Sequence, residues 1–239
     1  MKFEDLTGKR ALGIAHAKDY ADWAESLLCD GVDSQNAAIL VGLGMDQYPD
    51  SEEVEKYFQR CLKELGLHIP SNEESIKNYA KYLCEQILAG GVEPEKGLSL
   101  LESLFFPSDY APIYSIWDEL SDDVWRVKYN EGAIFNSGLS EENVPDYIKN
   151  VAAQFLKLIE VKLPNNFFRM SLCPKCCFFG EPKSERIERT WIPDKLYRLI
   201  FRRGPVYRSI CGECGERVLA KMWDYEGREQ YLHLSENKR

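Results

Sequence analysis

The sequence predicts an α+β protein: a multi-helix N-terminal region, then a small β-rich module that carries cysteines and a helical insertion. Three observations predict it. Apolar residues recur at helical spacing through the first 160 positions, and beyond Pro164 that rhythm gives way to short extended runs. Within the second stretch two C-x-x-C pairs, Cys173-Pro-Lys-Cys176 and Cys211-Gly-Glu-Cys214, stand 34 residues apart. The expected division is an acidic all-helical domain over 1–135 and, over 140–239, one helix with the four-cysteine module. The Gly-, Asn-, Ser- and Glu-rich stretch from Asn130 to Glu142 is the linker candidate.

Taken in order, Tyr20, Trp23, Ala24, Leu27 and Leu28 mark a first helix, and Asp33-Ser34 caps a short apolar one through Leu43. Asp50-Ser-Glu-Glu53 reads as a capping box for the stripe Val54, Tyr57, Phe58, Cys61, Leu62 and Leu65, which Gly66 stops. Ser71-Asn-Glu-Glu74 opens the next stripe, Ile76, Tyr79, Ala80, Leu83, Cys84, Ile87 and Leu88, ending at Gly90-Gly91. Further helices start near Pro94, Pro112 and Pro145, because proline is tolerated in a first turn. Past Pro164, Phe167 to Met170 and Val206 to Ile210 read as strands leading into the two cysteine turns. Pro193 to Arg203 reads as a short helix ending at Gly204, and Arg217–Asp224 with Arg228–Leu234 as a hairpin about Tyr225-Glu-Gly227.

A tight turn lets both sulfurs of a C-x-x-C reach one ion, and two such turns complete the tetrahedron that Zn²⁺ accepts. The spacing favours this over four separate core or disulfide cysteines, and two pairs favour metal over dithiol redox chemistry. The expectation is one structural zinc per chain on Cys173, Cys176, Cys211 and Cys214, with no position left open for water or substrate. Gly215 supplies permissive backbone after the second pair. Cys177 holds the matching place in the first, either as a spare thiol or as a competitor of Cys176 for the ion.

The net charge of −9 is unevenly placed. Residues 1–161 hold 14 Lys+Arg against 29 Asp+Glu, whereas residues 162–239 hold 16 against 10, so the two parts attract one another or face different partners. Asp118, Glu119, Asp122 and Asp123, around Trp117 and Trp125, either lie in water as a solvated helix end or dock a basic partner. On the inserted helix Lys195, Arg198 and Arg202 share one face, with Arg203 and Arg208 near and with Tyr197, Ile200 and Phe201 expected to pack inward. That basic stripe either pairs with the acidic half or contacts nucleic-acid phosphates while Tyr207 or Trp191 stacks on a base.

No apolar run approaches the roughly 20 residues that cross a bilayer, and the start has no hydrophobic signal core. With Cys29, Cys61 and Cys84 placed singly on apolar faces, as reduced thiols are, the expectation is a cytoplasmic protein with no membrane partner. His16, His68 and His233 are scattered, Gly42-Leu-Gly44 lacks the strand and the Lys-Ser/Thr of a phosphate loop, and no serine stands in a nucleophile elbow. The chain is therefore expected not to be an enzyme.

Asp19 to Leu28, Gly31 to Ser34, Ala37 to Leu43, the helix at Val54 and Tyr79 to Leu88 together resemble small acidic all-helical bacterial proteins, some of which are similar to the immunity partners of secreted toxins. The likeness spans about residues 15–125. Residues 165–235 resemble zinc ribbons at the four cysteines and depart from them at Cys177 and in the long insertion. The resemblance implies a non-catalytic interaction protein with a protein partner, a basic one in the toxin-neutralising version. A nucleic-acid-binding adaptor that uses the inserted helix is the alternative.

Overall fold

The computed structural model describes residues 1–187 and 192–236. Among them are ten α-helices and five short strands, and because every strand lies past residue 170 the architecture is α+β with its helices mainly N-terminal. The chain divides into two compact units, Met1–Trp117 and Asp118–Arg239. The division falls within a helix, and Asn130–Glu142 lies inside the second unit.

The first unit contains α1 (Phe3–Ala11), α2 (Ala17–Cys29), α3 (Gln35–Leu43), α4 (Ser51–Leu65), α5 (Asn72–Ala89) and α6 (Pro94–Glu102). The N-cap residues are those the sequence specifies, although Asp50 and Ser71 each accept a single N–H and do not close the expected capping boxes. Ser34 Oγ accepts from Ala37 N, Asp50 Oδ1 from Glu52 N and Ser71 Oγ from Glu74 N, while Gly66 and Gly90 end their helices in the left-handed region at φ +65° and +76°. Trp23, Leu40, Val54, Phe58, Cys61 and Leu62 form one buried cluster, in which the Trp23 and Phe58 rings meet edge-on at 5.4 Å. Arg10 roofs it, with its guanidinium 4.7 Å from the Phe58 ring and paired to Glu55 at 2.6 Å.

Helix α1 has no counterpart among the predicted elements. It is nine residues long with Thr7-Gly8 at its centre, which reads as a break. The glycine is instead the point where α1 meets α5, closely enough that a Cβ would lie 2.3 Å from the Tyr79 side chain.

The second unit begins within α7 (Ser115–Lys128) and continues with α8 (Val144–Leu158), β1 (Ser171–Leu172), β2 (Phe179–Gly180), β3 (Lys183–Arg186), α9 (Asp194–Phe201), β4 (Tyr207–Ile210), β5 (Ala220–Lys221) and α10 (Tyr225–Glu236). One antiparallel sheet has the order β2-β1-β5; β3 pairs with β4 from Lys183↔Ile210 to Arg186↔Tyr207. Val151, Ala152, Phe155 and Leu158 of α8 are buried with Phe167, Leu172, Met222 and Leu232, and Tyr231 of α10 lies 5.0 Å from Phe167 and 4.8 Å from Phe179. Thus α10 packs on both α8 and the cysteine-bearing sheet.

Three local expectations are corrected. The hairpin about Tyr225-Glu-Gly227 is the first turn of α10, and Gly227 serves close approach rather than a turn, since a Cβ there would lie 2.0 Å from Lys221 O. The approach to the first cysteine pair is a 3₁₀ turn at Phe167–Arg169, which seats Phe167 in the core, and pairing starts only at Ser171. Helix α9 ends at Arg202, itself left-handed at φ +51°, and turns only Tyr197 fully inward, whereas Ile200 and Phe201 are exposed.

Candidate metal centre and flanking surfaces

Each cysteine pair sits in a backbone-braced turn. Cys177 N donates to Cys173 O at 2.9 Å and Cys173 N to Phe178 O at 2.9 Å; Gly215 N donates to Cys211 O at 3.1 Å and Cys211 N to Glu216 O at 2.7 Å. The four thiols consequently converge. Cys173 and Cys214 Sγ lie 3.6 Å apart, Cys176 and Cys211 Sγ 3.6 Å apart, and all four sulfurs fall within 4.8 Å of one another. A regular tetrahedron with metal–sulfur bonds of about 2.3 Å separates its sulfurs by about 3.8 Å. These cysteines therefore have the donor set and spacing to hold a metal ion. Four protein sulfurs fill such a tetrahedron, so an ion held there has a structural role.

Without a cation the thiols compete for ionisation. The backbone N–H of Cys214, with that of Glu213, holds the Cys211 thiol down to about 6. The Phe178 N–H favours the Cys176 thiolate, but desolvation and the three neighbouring thiols outweigh it and push that thiol up to about 12. A divalent ion eases this conflict, because it binds all four thiolates and offsets two of their four charges.

Cys177 and Gly215 occupy equivalent places, each in the left-handed region, at φ +57° and +73°. Only the glycine does so without a steric cost, which for an L-residue is roughly 1–2 kcal/mol. Cys177 is exposed and stands outside the cluster of four.

The acidic group on α7 separates into two faces. Asp118 and Asp122 are exposed, and with Trp125 they fall within an arc of about 60° at 3.6 residues per turn, while Tyr129 follows in the turn just past the helix. The two aromatic side chains are 57% and 65% exposed and their rings meet at 4.7 Å. Asp123 points the other way and is fully buried. Its carboxylate accepts the N–H groups of Ile134, Phe135 and Asn136 at 2.7, 2.7 and 2.8 Å and the Asn136 side-chain amide at 3.0 Å, thereby shaping the loop after α7. Glu119 is half-buried and Trp117 buried.

The basic group on the insertion is likewise split. Lys195, Arg198 and Arg202 are exposed. Arg208 is paired across the ladder to Glu185, with Nε 2.5 Å from the carboxylate, and Arg203 reaches the Tyr197 hydroxyl at 3.5 Å. Tyr207 donates its hydroxyl to Asp194 at 2.5 Å, and Trp191 lies outside the described residues.

Sequence reasoning missed Arg228, which is 1% exposed in the second unit. Its Nε donates to Gln154 Oε1 at 2.6 Å and an Nη to Trp223 O at 2.8 Å, while Gln154 also donates to Tyr225 O and to Glu229. Burial lowers the guanidinium's pKa, and the nearby Glu119 opposes that. The available signal was an Arg on what alternation made the inner face of a strand, which argued against the strand.

Among the described residues no helix is long and apolar enough to cross a membrane. Comparison of the chain with protein-family models, curated proteins and solved structures gives no match in any of the three.

Proposed function

We propose that this chain is a non-catalytic interaction protein of the cytoplasm in which one structural Zn²⁺, on Cys173, Cys176, Cys211 and Cys214, organises the second unit and a basic protein partner docks on α7. One observation carries the docking reading: Asp118, Asp122 and Trp125, with Tyr129 in the turn that follows, form an exposed acidic–aromatic stripe on one side of a helix whose other side is buried. Charge supports it. The chain as a whole holds 30 Lys+Arg against 39 Asp+Glu, a net −9 that attracts a cationic partner at long range.

The sharpest form of the reading is toxin neutralisation, with a basic nuclease-type toxin as the partner. Two measurements test the whole. Metal analysis should give about one zinc per chain, falling sharply in Cys173→Ser; less than half an equivalent in the unaltered protein removes the zinc. Affinity capture at low salt should retain a basic protein that Asp118→Lys with Trp125→Ala loses. Identical capture by both forms removes the α7 surface.

A nucleic-acid adaptor is the second reading, favoured by the exposure of Lys195, Arg198 and Arg202 on α9. It predicts oligonucleotide binding by the full chain that falls steeply with salt and is lost in Arg198→Glu with Arg202→Glu. Leu196, Leu199 and Ile200 beside those cations weigh against it, because phosphate tracks are lined by cations and aromatic rings rather than aliphatic side chains.

A further inference from the structure

Among the described residues the contacts that anchor helix α9 lie on one side of it. Tyr197 is buried against the Arg186 guanidinium, 4.9 Å from its ring, and packs with Phe201 at 4.5 Å; Arg186 also donates to Ile192 O at 2.6 Å. These contacts fasten α9 to the β3–β4 ladder. The remainder of the helix is exposed and sorted into two arcs. Leu196, Leu199 and Ile200 recur at i, i+3 and i+4, with Leu199 at 77% exposure, and the cations Lys195 and Arg198 border them while Arg202 closes the end. An aliphatic face of this kind in contact with water marks an interaction surface.

We infer that the occupant of this face is the acidic–aromatic stripe on α7 of a second copy of the chain. The two surfaces are complementary in kind: on α7 two carboxylates, Asp118 and Asp122, are followed by the Trp125 ring, which meets the Tyr129 ring of the turn just past the helix at a tilt, and on α9 a cationic arc lies beside an aliphatic one. Helices crossing steeply would bring the carboxylates over the cations and the rings over Leu196 and Leu199. The second unit, which carries both surfaces, is close to neutral, 20 Lys+Arg against 19 Asp+Glu, so it adds almost no net like-charge repulsion of its own between copies. The contact joins different patches of the two copies. It is therefore heterologous, and each association leaves one α7 stripe and one α9 face open for the next. The inference rests on the reading above for the α7 surface and differs from it in the occupant, a second copy that presents the cations of α9 in place of a basic partner.

Sedimentation of the full chain over a concentration series tests it, with Asp122→Lys plus Trp125→Ala as the α7 variant and Arg198→Glu plus Leu199→Asp as the α9 variant. The unaltered protein should gain mass progressively with concentration, less so at high salt because the rim charges are exposed. Each variant alone should sediment as a monomer. An equimolar mixture should form a one-to-one dimer and stop there, since only one α7–α9 pair survives, and retained far-UV dichroism shows that both variants fold.

A monomeric unaltered protein at every concentration, association by either variant alone, or a mixture that stays monomeric overturns the inference. So does oligonucleotide binding that the α9 variant loses while the unaltered chain stays monomeric. If the unaltered chain is monomeric yet captures a basic protein through α7, this inference falls and the reading above stands; if it does neither, both fall.

Discussion

Gly8 of α1 faces Tyr79 of α5 at a separation that leaves no room for a methyl group: a Cβ on Gly8 would lie 2.3 Å from both Cβ and Cγ of Tyr79. Both belong to buried segments of the first unit, so neither backbone can withdraw without opening the core. Gly8→Ala should destabilise the first unit by about 1–3 kcal/mol despite the gain in helix propensity that alanine brings. Urea unfolding followed by far-UV dichroism measures it. A midpoint equal to or above that of the unaltered chain would show that the crossing is looser than the structure has it.

Asp123→Asn replaces an acceptor that satisfies three backbone N–H groups and one side-chain amide by a group carrying two donors of its own. At least one buried N–H then loses its partner. The expected loss is about 1–3 kcal/mol, and Asp122→Asn, one position away and exposed, should cost almost nothing. Equal stabilities for the two variants would contradict the assignment of Asp123 as the anchor of the loop after α7.

Metal removal should reach further than the two cysteine turns. The sheet β2-β1-β5 carries Cys173 at one margin and shares Phe167, Leu172, Met222 and Tyr231 with α8 and α10. A strong chelator should therefore abolish the near-UV signal of the second unit and lower protection of α10 amides from hydrogen exchange, while α2, α4 and α5 stay protected. Unchanged α10 protection after complete metal loss would refute the shared core.

The first unit should weaken in alkali. Burial, with Asp5 nearby, pushes the Tyr79 hydroxyl up to about 12, and burial with Glu73 does the same to Tyr114. A pKa raised by folding means that the native state holds its proton more tightly. The stability so conferred is fully present below about pH 10, where unfolded tyrosine titrates, and is lost as pH climbs through about 12. Denaturation midpoints should fall across that window, and Tyr79→Phe should make the fall shallower; an identical slope in both proteins would remove Tyr79 as the cause.

The legible parts of this chain were those governed by local rules. Asp50, Ser71, Gly66 and Gly90 announce their helices because capping depends on a few neighbouring residues, and the four cysteines announce their cluster because a tetrahedron needs two tight turns. The stretch Arg217 to Leu234 was misread as a hairpin because Gly227 has two uses that look alike in one dimension. Its closeness to Lys221 O, six positions back, is a packing requirement between β5 and α10 that a run of alternating residues does not reveal. Asp123 and Asp122 are indistinguishable as a charge pair, and only the three-dimensional path of Ile134 to Asn136 decides which of them turns inward.

The convergence of the four sulfurs also ties together chain positions far apart. Holding Cys176 beside Cys211 closes a loop of 34 intervening residues, and an ion bound there would keep that loop shut in the folded chain and leave on unfolding, so its benefit would come from binding the native state. Loop closure grows only logarithmically with length, so doubling that excursion would cost about 0.6 kcal/mol more. The segment carrying β3, α9 and β4 can for that reason change length at little cost in loop closure while the four sulfurs still converge.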